Sequence, residues 1–273
     1  MLALDEAPRR QRAKQRRKEQ SVYGRVRRAE MQYSRQLRAI ARNCGLLAHH
    51  YDPDTPETAH WLVGALRQYA ETVRNWAMSS GARMLAEVEH RDAQAWAKHS
   101  RNMSEGLQRE IATAPTGELL RSLLAEQVGL ITSIPREAAV RVQELAVRGM
   151  EGSERPAHIA QEIMRTGEVT ESRARLIART EVARASSKMT ESRARYIGSE
   201  GYIWRTAEDR DVRPQHRKLN GKYFSWDDPP IAGSNGERAH AGQIYNCRCI
   251  PEPVVPEYAA DRKYRLPLGM MYW

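Results

Sequence analysis

The chain has little of what builds large or covalently stapled cores. Its 273 residues include one Phe and three Cys. A mean hydropathy of −0.72 and 29% charged residues describe a soluble chain with a modest core. No run of eighteen apolar residues occurs, so no segment reads as a membrane span. No apolar stretch follows the first basic cluster, which argues against a secretory signal. The cysteine count is odd, and Cys44 stands far from Cys247 and Cys249. That argues against a disulfide framework and for a reducing compartment. A nucleophile elbow, a phosphate-cradling glycine loop and an HExxH helix are all missing, so the reading is not an enzyme.

What is present is unevenly charged. Residues 1–42 hold thirteen Lys and Arg against four Asp and Glu, which supplies +9 of the total +10. The densest stretch is Arg9, Arg10, Arg12, Lys14, Arg16, Arg17 and Lys18. Such an arm attracts polyanions through counterion release with little sequence preference, so these residues are candidate DNA contacts. The plainer alternative is a solvated helix face. Residues 1–20 have almost nothing to bury and read as a basic arm without structure of its own.

The rest divides at proline and glycine clusters. Residues 21–150 read as a helical body, broken at Tyr51–Pro56 and at Ala114–Gly117. Within it, 57–112 predicts one long helix or two, weakened at Ser79-Ser80-Gly81. Two shorter helices are predicted at about 117–131 and 135–149, the second opened by Pro135. Glu151–Pro156 is a boundary. After it come a helix of about 154–165, a turn at Thr166-Gly167, and a long helix from Thr170 to about Ser199. This pair imitates a DNA-binding helix-turn-helix, and the plain alternative is an αα-hairpin. Thr-Glu-Ser-Arg-Ala-Arg occurs at 170–175 and again at 190–195, without flanking similarity that would make it a repeat. Residues 256–273 form a tail ending Met270-Met271-Tyr272-Trp273.

Residues 202–255 alone read as short strands and loops. Tyr202–Arg205 alternates, Asn220-Gly221 is a hairpin-turn dipeptide, and Lys222–Phe224 reads as the return strand. A third strand is expected between Cys247 and Val255. His216, His240, Cys247 and Cys249 could converge on one tetrahedral ion, and mixed imidazole and thiolate ligands suit zinc. A bend at Asn246 and Arg248 would bring both thiols to that ion. The alternative is a hydrogen-bonded polar cluster with reduced thiols. Asp209, Asp211 and Arg213 alternate in sign and suggest a salt-bridged brace, with Arg179 or Glu181 of the preceding helix as partners. His216, Asn220 and His240 could also serve a metal-dependent nuclease, although the spacing does not fit one.

Three motifs in order carry a resemblance. They are Arg179-Thr180-Glu181-Val182 in a helix, then Trp204 through Asp209-Arg-Asp211-Val-Arg213, His216 and Leu219-Asn-Gly221, then His240 and Asn246-Cys247-Arg248-Cys249. Over roughly residues 150–253 the chain resembles the phage Mu protein F-like, or phage head morphogenesis, family. It departs at 213 and 216, where many relatives have a Cys-x-x-Cys pair, so one potential ligand is missing. The resemblance implies a minor head domain over 151–255 in a virion protein of a tailed phage or prophage. It implies action at the portal vertex in head assembly and DNA packaging or ejection. The implied partners are the portal protein, phage DNA, and scaffold or major capsid protein, with no membrane. The expected fold is mainly α with a small α+β C-terminal domain. The competing reading is a helix-turn-helix-like DNA-binding protein.

Overall fold

The computed structural model describes residues 6–52, 55, 57–99, 105–150 and 156–256, with the side chains of 6–25, 57, 99, 106, 107, 110 and 156 outside the description. The fold is mainly helical, with a small antiparallel sheet near the C-terminal end. Its helices are α1 (Glu6–Ala48), α2 (Glu57–Thr72), α3 (Arg74–His99), α4 (Glu105–Thr113), α5 (Gly117–Met150), α6 (Pro156–Met164), α7 (Thr166–Tyr196) and α8 (Pro214–Leu219). The strands are β1 (Gly201–Arg205), β2 (Tyr223–Ser225) and β3 (Ile250–Pro253). The chain forms two compact units. One holds residues 31–84 and 121–179, and the other holds 1–30, 85–120 and 180–273. They do not follow consecutive segments of the chain, because α1, α3, α5 and α7 each contribute to both.

The first unit is helical throughout. In α1 the buried residues Tyr33, Leu37, Ile40, Ala41, Cys44 and Ala48 recur at three and four residue spacing, which places them on one face. Leu62 and Leu66 of α2 and Leu123, Ile131, Ile134 and Leu145 of α5 are also buried. Each such side chain contributes about 1.5–3 kcal/mol by leaving water. One polar bond sits inside, from the Tyr33 hydroxyl to Gln127 Oε1 at 2.9 Å.

Three sequence expectations change here. α1 begins at Glu6, so residues 6–20, expected to lack structure, are helical. Their Arg, Lys, Gln, Glu and Ala content favours helix, and Pro8 falls in the first turn, where it is tolerated. Pro135 does not open a helix but lies inside α5 and is buried. Around it the hydroxyls of Thr132 and Ser133 bond carbonyls one turn back, Thr132 to Val128 at 2.9 Å and Ser133 to Leu130 at 2.8 Å. Tertiary burial on both sides of the proline outweighs the lost ladder bond. Ser79-Ser80-Gly81 does not weaken α3, and the interruption falls at Val73 instead. Gly81 is small because α5 is close: a Cβ there would meet Gln127 Cβ at 3.1 Å.

The second unit carries the sheet, in the order β2-β1-β3 with both pairings antiparallel. Tyr202 and Trp204 point into a core with Trp96, Trp226, Ile197, Cys247 and Cys249. The edge strand β3 is Ile250-Pro-Glu-Pro253. Val254 N–H donates to Gly201 O at 2.9 Å, which by alternation turns the backbone nitrogens of Pro251 and Pro253 to the outer edge. An edge without donors there is a poor template for another strand.

Asn220-Gly221 does not close a two-residue hairpin. α8 intervenes, and the dipeptide makes a turn after it, with Asn220 at φ −53°, ψ 129° and Gly221 at φ 78°. Lys222 N–H donates to Leu219 O at 3.0 Å, so this is a type II turn, which places Gly at its third residue. The turn is tied to β1 by Gly221 N–H to Trp204 O at 2.8 Å and by Thr206 N–H to Asn220 Oδ1 at 3.0 Å.

The two copies of Thr-Glu-Ser-Arg-Ala-Arg do parallel work in different units. In each, Glu and the second Arg pair along the helix, and the first Arg reaches an acid on another helix. Arg173 meets Glu137, and Arg193 meets Asp92 and Glu89.

Candidate metal centre

The sheet, α8 and two loops place three donor atoms together. His216 lies on the inner face of α8, whose Pro214 supplies a pre-set φ at the helix start. Its ring packs edge-on to Trp204, with centroids 5.4 Å apart. Nε2 lies 3.0 Å from the carbonyl oxygen of Ala232. A carbonyl accepts only, so the proton sits on Nε2 and Nδ1 presents a lone pair. Gly233, Asn235 and Glu237 hold the Ala232 loop, through Ala232 N–H to Glu237 O at 2.9 Å and Asn235 N–H to Glu237 Oε2 at 3.0 Å.

The Nδ1 lone pair faces both thiols. Cys249 Sγ is 3.4 Å away and Cys247 Sγ 3.6 Å away. The backbone does bend before them, with Asn246 in the left-handed region at φ 56°. Cys249 N–H then donates to Cys247 Sγ at 3.3 Å. The three donor atoms lie within 4.8 Å of one another, and all three residues are buried. This His/Cys/Cys cluster could hold a metal ion. The donor set fits a soft or borderline cation, and the Ala232 carbonyl orients the imidazole as outer-shell groups do in metal sites.

The same geometry polarises the thiols. A hydrogen bond from the Cys249 thiol holds the Cys247 thiol well below its ordinary range. Cys249, the donor in that bond and itself buried, is pushed up. Cys44, in the other unit, is raised to about 12 by burial, so its thiol is inert.

The fourth residue predicted to join this cluster stands elsewhere. His240 Nδ1 lies 3.2 Å from the Tyr202 hydroxyl, and its ring packs against Tyr202 and Trp226 at centroid distances of 5.5 and 5.7 Å. Burial lowers its pKa. His240 is a buried histidine packed on Tyr202 and Trp226, outside the set of three that could hold an ion.

Of the predicted brace, Asp209 and Asp211 meet Arg248, at 2.8 and 3.4 Å. The partner is thus the residue between the cysteines. These groups are partly exposed, so each pair contributes at most about 1 kcal/mol. Arg213 donates to Tyr245 O at 2.8 Å and stacks over its ring at 5.9 Å. Glu181 is buried and pairs with Arg184 at 3.3 Å, while Arg179 is exposed. One contributor was not legible as such: Thr180, between them, accepts a hydrogen bond from Asn246 N–H at 3.0 Å. Its signal was a mediocre helix former in mid-helix. The candidate DNA contacts from Arg9 to Lys18 lie outside the described side chains.

The cluster and its supports fall in a stretch with known relatives. Residues 140–251 match the family model described as Phage Mu protein F like protein. The Mu F-like resemblance is therefore shown for this stretch. A protein of Haemophilus influenzae described as uncharacterized is 28% identical over 205 residues, covering 72% of this chain and 44% of the relative. The chain thus spans less than half the length of that relative. No solved structure matches. The matched stretch begins inside α5 and ends in β3, so it takes in α6, α7, α8, β1, β2 and all three donor residues.

Proposed function

We propose that this is a minor head protein of a tailed phage or prophage, acting at the portal vertex during head assembly and DNA packaging or ejection. The observation that carries the reading is the Mu F-like match over 140–251. A structural, non-catalytic role agrees with how the candidate nuclease residues are used. His216 and His240 are buried against aromatic rings, and the Asn220 side chain ties a turn to β1. No helix among the described residues is long and apolar enough to cross a membrane. The setting proposed is the head interior near the portal.

In this reading the Mu F-like knot is stabilised by zinc held by His216, Cys247 and Cys249. Bound zinc would tie α8 to the loop before β3 and neutralise the thiolate charge, contributing folding energy directly. The basic part of α1 contacts packaged DNA through phosphates. The helix-turn-helix alternative finds less support. Arg165, Arg173 and Arg175 around the α6–α7 junction are engaged with Glu162, Glu137 and Glu171.

Co-expression with the cognate portal protein and size-exclusion chromatography test the proposal. A co-eluting complex at micromolar concentration supports it. Clean separation in both low and moderate salt counts against it.

A further inference from the structure

The loop that carries the two cysteines does not fold against the sheet alone. It runs antiparallel along one face of α7. At one end Asn246 N–H donates to Thr180 Oγ1 at 3.0 Å. At the other, Ser187 Oγ donates to Ala241 O at 2.7 Å, and Gln243 Nε2 donates to Glu191 Oε2 at 2.9 Å. Between them Gly242, at φ 81°, presses on the helix. A Cβ there would come within 3.3 Å of Ala183 O, 3.2 Å of Ser187 Cβ and 2.9 Å of Cys249 O. Thr180, Ala183, Ser187 and Glu191 follow three and four residue spacing, so they form one stripe along α7.

The Thr180 contact falls at the residue where backbone geometry matters most. Asn246 is in the left-handed region, at φ 56°, immediately before Cys247. Asparagine enters that region more readily than other L residues, and here its neighbours hold it there. The Thr180 hydroxyl fixes its N–H, and Arg213 fixes the preceding carbonyl, of Tyr245, at 2.8 Å. The bend that results lets Cys249 N–H reach Cys247 Sγ and turns both sulfurs to His216 Nδ1.

We infer that Thr180 is a positioning residue for metal binding by Cys247 and Cys249, acting through the Asn246 amide, with Ser187 as the second tether of the same arm. This rests on the metal reading above. Thr180 touches no donor atom. Its hydroxyl sets the backbone turn that gives the two sulfurs one shared focus with the imidazole. A threonine in mid-helix, unfavourable by propensity, then has a use: it offers an oxygen to a loop amide 66 residues away.

The test uses the full chain, stripped with chelator and reloaded with Zn²⁺, with affinity read by chelator competition and Co²⁺ absorption reporting thiolate ligation. Helix content by circular dichroism checks each variant. The wild type takes up one ion per chain. Thr180→Val weakens zinc binding about 10- to 100-fold, the range for loss of an outer-shell partner. Thr180→Ser, which keeps the oxygen, binds as the wild type does. Ser187→Ala weakens binding in the same direction and stands in for Thr180→Val should that variant not fold. Amide exchange at Asn246 speeds up in Thr180→Val and not in Thr180→Ser. A wild type without metal removes both the metal reading and this inference. A metal-binding wild type with Thr180→Val equal to it removes the inference alone, as does a Thr180→Ser variant as weak as Thr180→Val.

Discussion

His216 Nδ1 and Cys249 Sγ lie 3.4 Å apart across 33 residues of chain, while His240 Nδ1 is spent on the Tyr202 hydroxyl at 3.2 Å. The two histidines therefore respond differently to loss. His216→Ala and Cys247→Ser should release zinc and make residues 200–256 protease-sensitive, leaving the unit built on 31–84 and 121–179 helical. His240→Ala should keep the metal and lose stability by about 3–5 kcal/mol if it behaves as truncation of a packed core ring. Elemental analysis of protein purified without chelator, paired with limited proteolysis, reads both. A folded wild type with a zinc ratio near zero would falsify the metal site, and Cys247→Ser would then cost about 1–2 kcal/mol as a local change.

The helical body and the short-stranded knot were legible because hydrophobic spacing and turn chemistry are local. The grouping of His216 with Cys247 and Cys249 was legible only as a possibility, since Asn246 and Arg248 permit a bend without requiring it. His240 falls outside that group because ligand type says nothing of which neighbours a ring will take, here Tyr202 and Trp226. Pro135 misled for a similar reason. Its cost is local and readable, whereas the burial of Ile131, Ile134, Ala138 and Ala139 around it is a tertiary fact. Thr180 shows the converse. Its partner, Asn246, is remote in sequence, so no local pattern points to the contact.

The basic part of α1 should bind duplex DNA without sequence preference. Six to ten phosphate contacts would lower affinity by roughly three to five orders of magnitude between about 50 and 200 mM salt. Deleting residues 1–20 should weaken binding equally for unrelated sequences. Fluorescence anisotropy over a salt series measures both slopes. Salt-insensitive binding, or binding that survives the deletion unchanged, refutes this role.

Two glycines in helices should respond with opposite signs. Gly167 meets Gly45 backbone to backbone, and a Cβ on Gly167 would lie 2.8 Å from Gly45 Cα. Gly167→Ala should force α1 and α7 apart and cost about 1–3 kcal/mol, as overpacking does. At Gly64, in α2, a Cβ would meet nothing within 4 Å. Gly64→Ala should stabilise by about 0.5–1 kcal/mol, the helix preference for Ala. Urea unfolding of both variants against the wild type gives the comparison. Equal effects would mean the Gly45–Gly167 approach is not a tight one.

Asp92 and Arg193 form a buried pair between α3 and α7, and Thr190 Oγ1 donates to Asp92 Oδ1 at 2.8 Å. Burial outweighs these partners and raises the Asp92 pKa to about 6. Between the unfolded value near 3.8 and about 6, the folded state binds the extra proton. The contribution of Asp92 to stability is therefore largest below that window and falls as pH rises through it. Asp92→Asn cannot titrate, so the stability difference between wild type and Asp92→Asn should shift against the wild type from pH 4 to pH 6, then level off. Arg193→Met should cost about 3–5 kcal/mol above pH 6, because it leaves a carboxylate buried without its cation. That loss should shrink as pH falls and Asp92 becomes neutral. Asp92→Asn combined with Arg193→Met should recover part of it, since neither charge then remains. Urea midpoints of the four proteins across pH 4 to 8 decide the matter. A loss in Arg193→Met that is the same at every pH would show that Asp92 does not carry it.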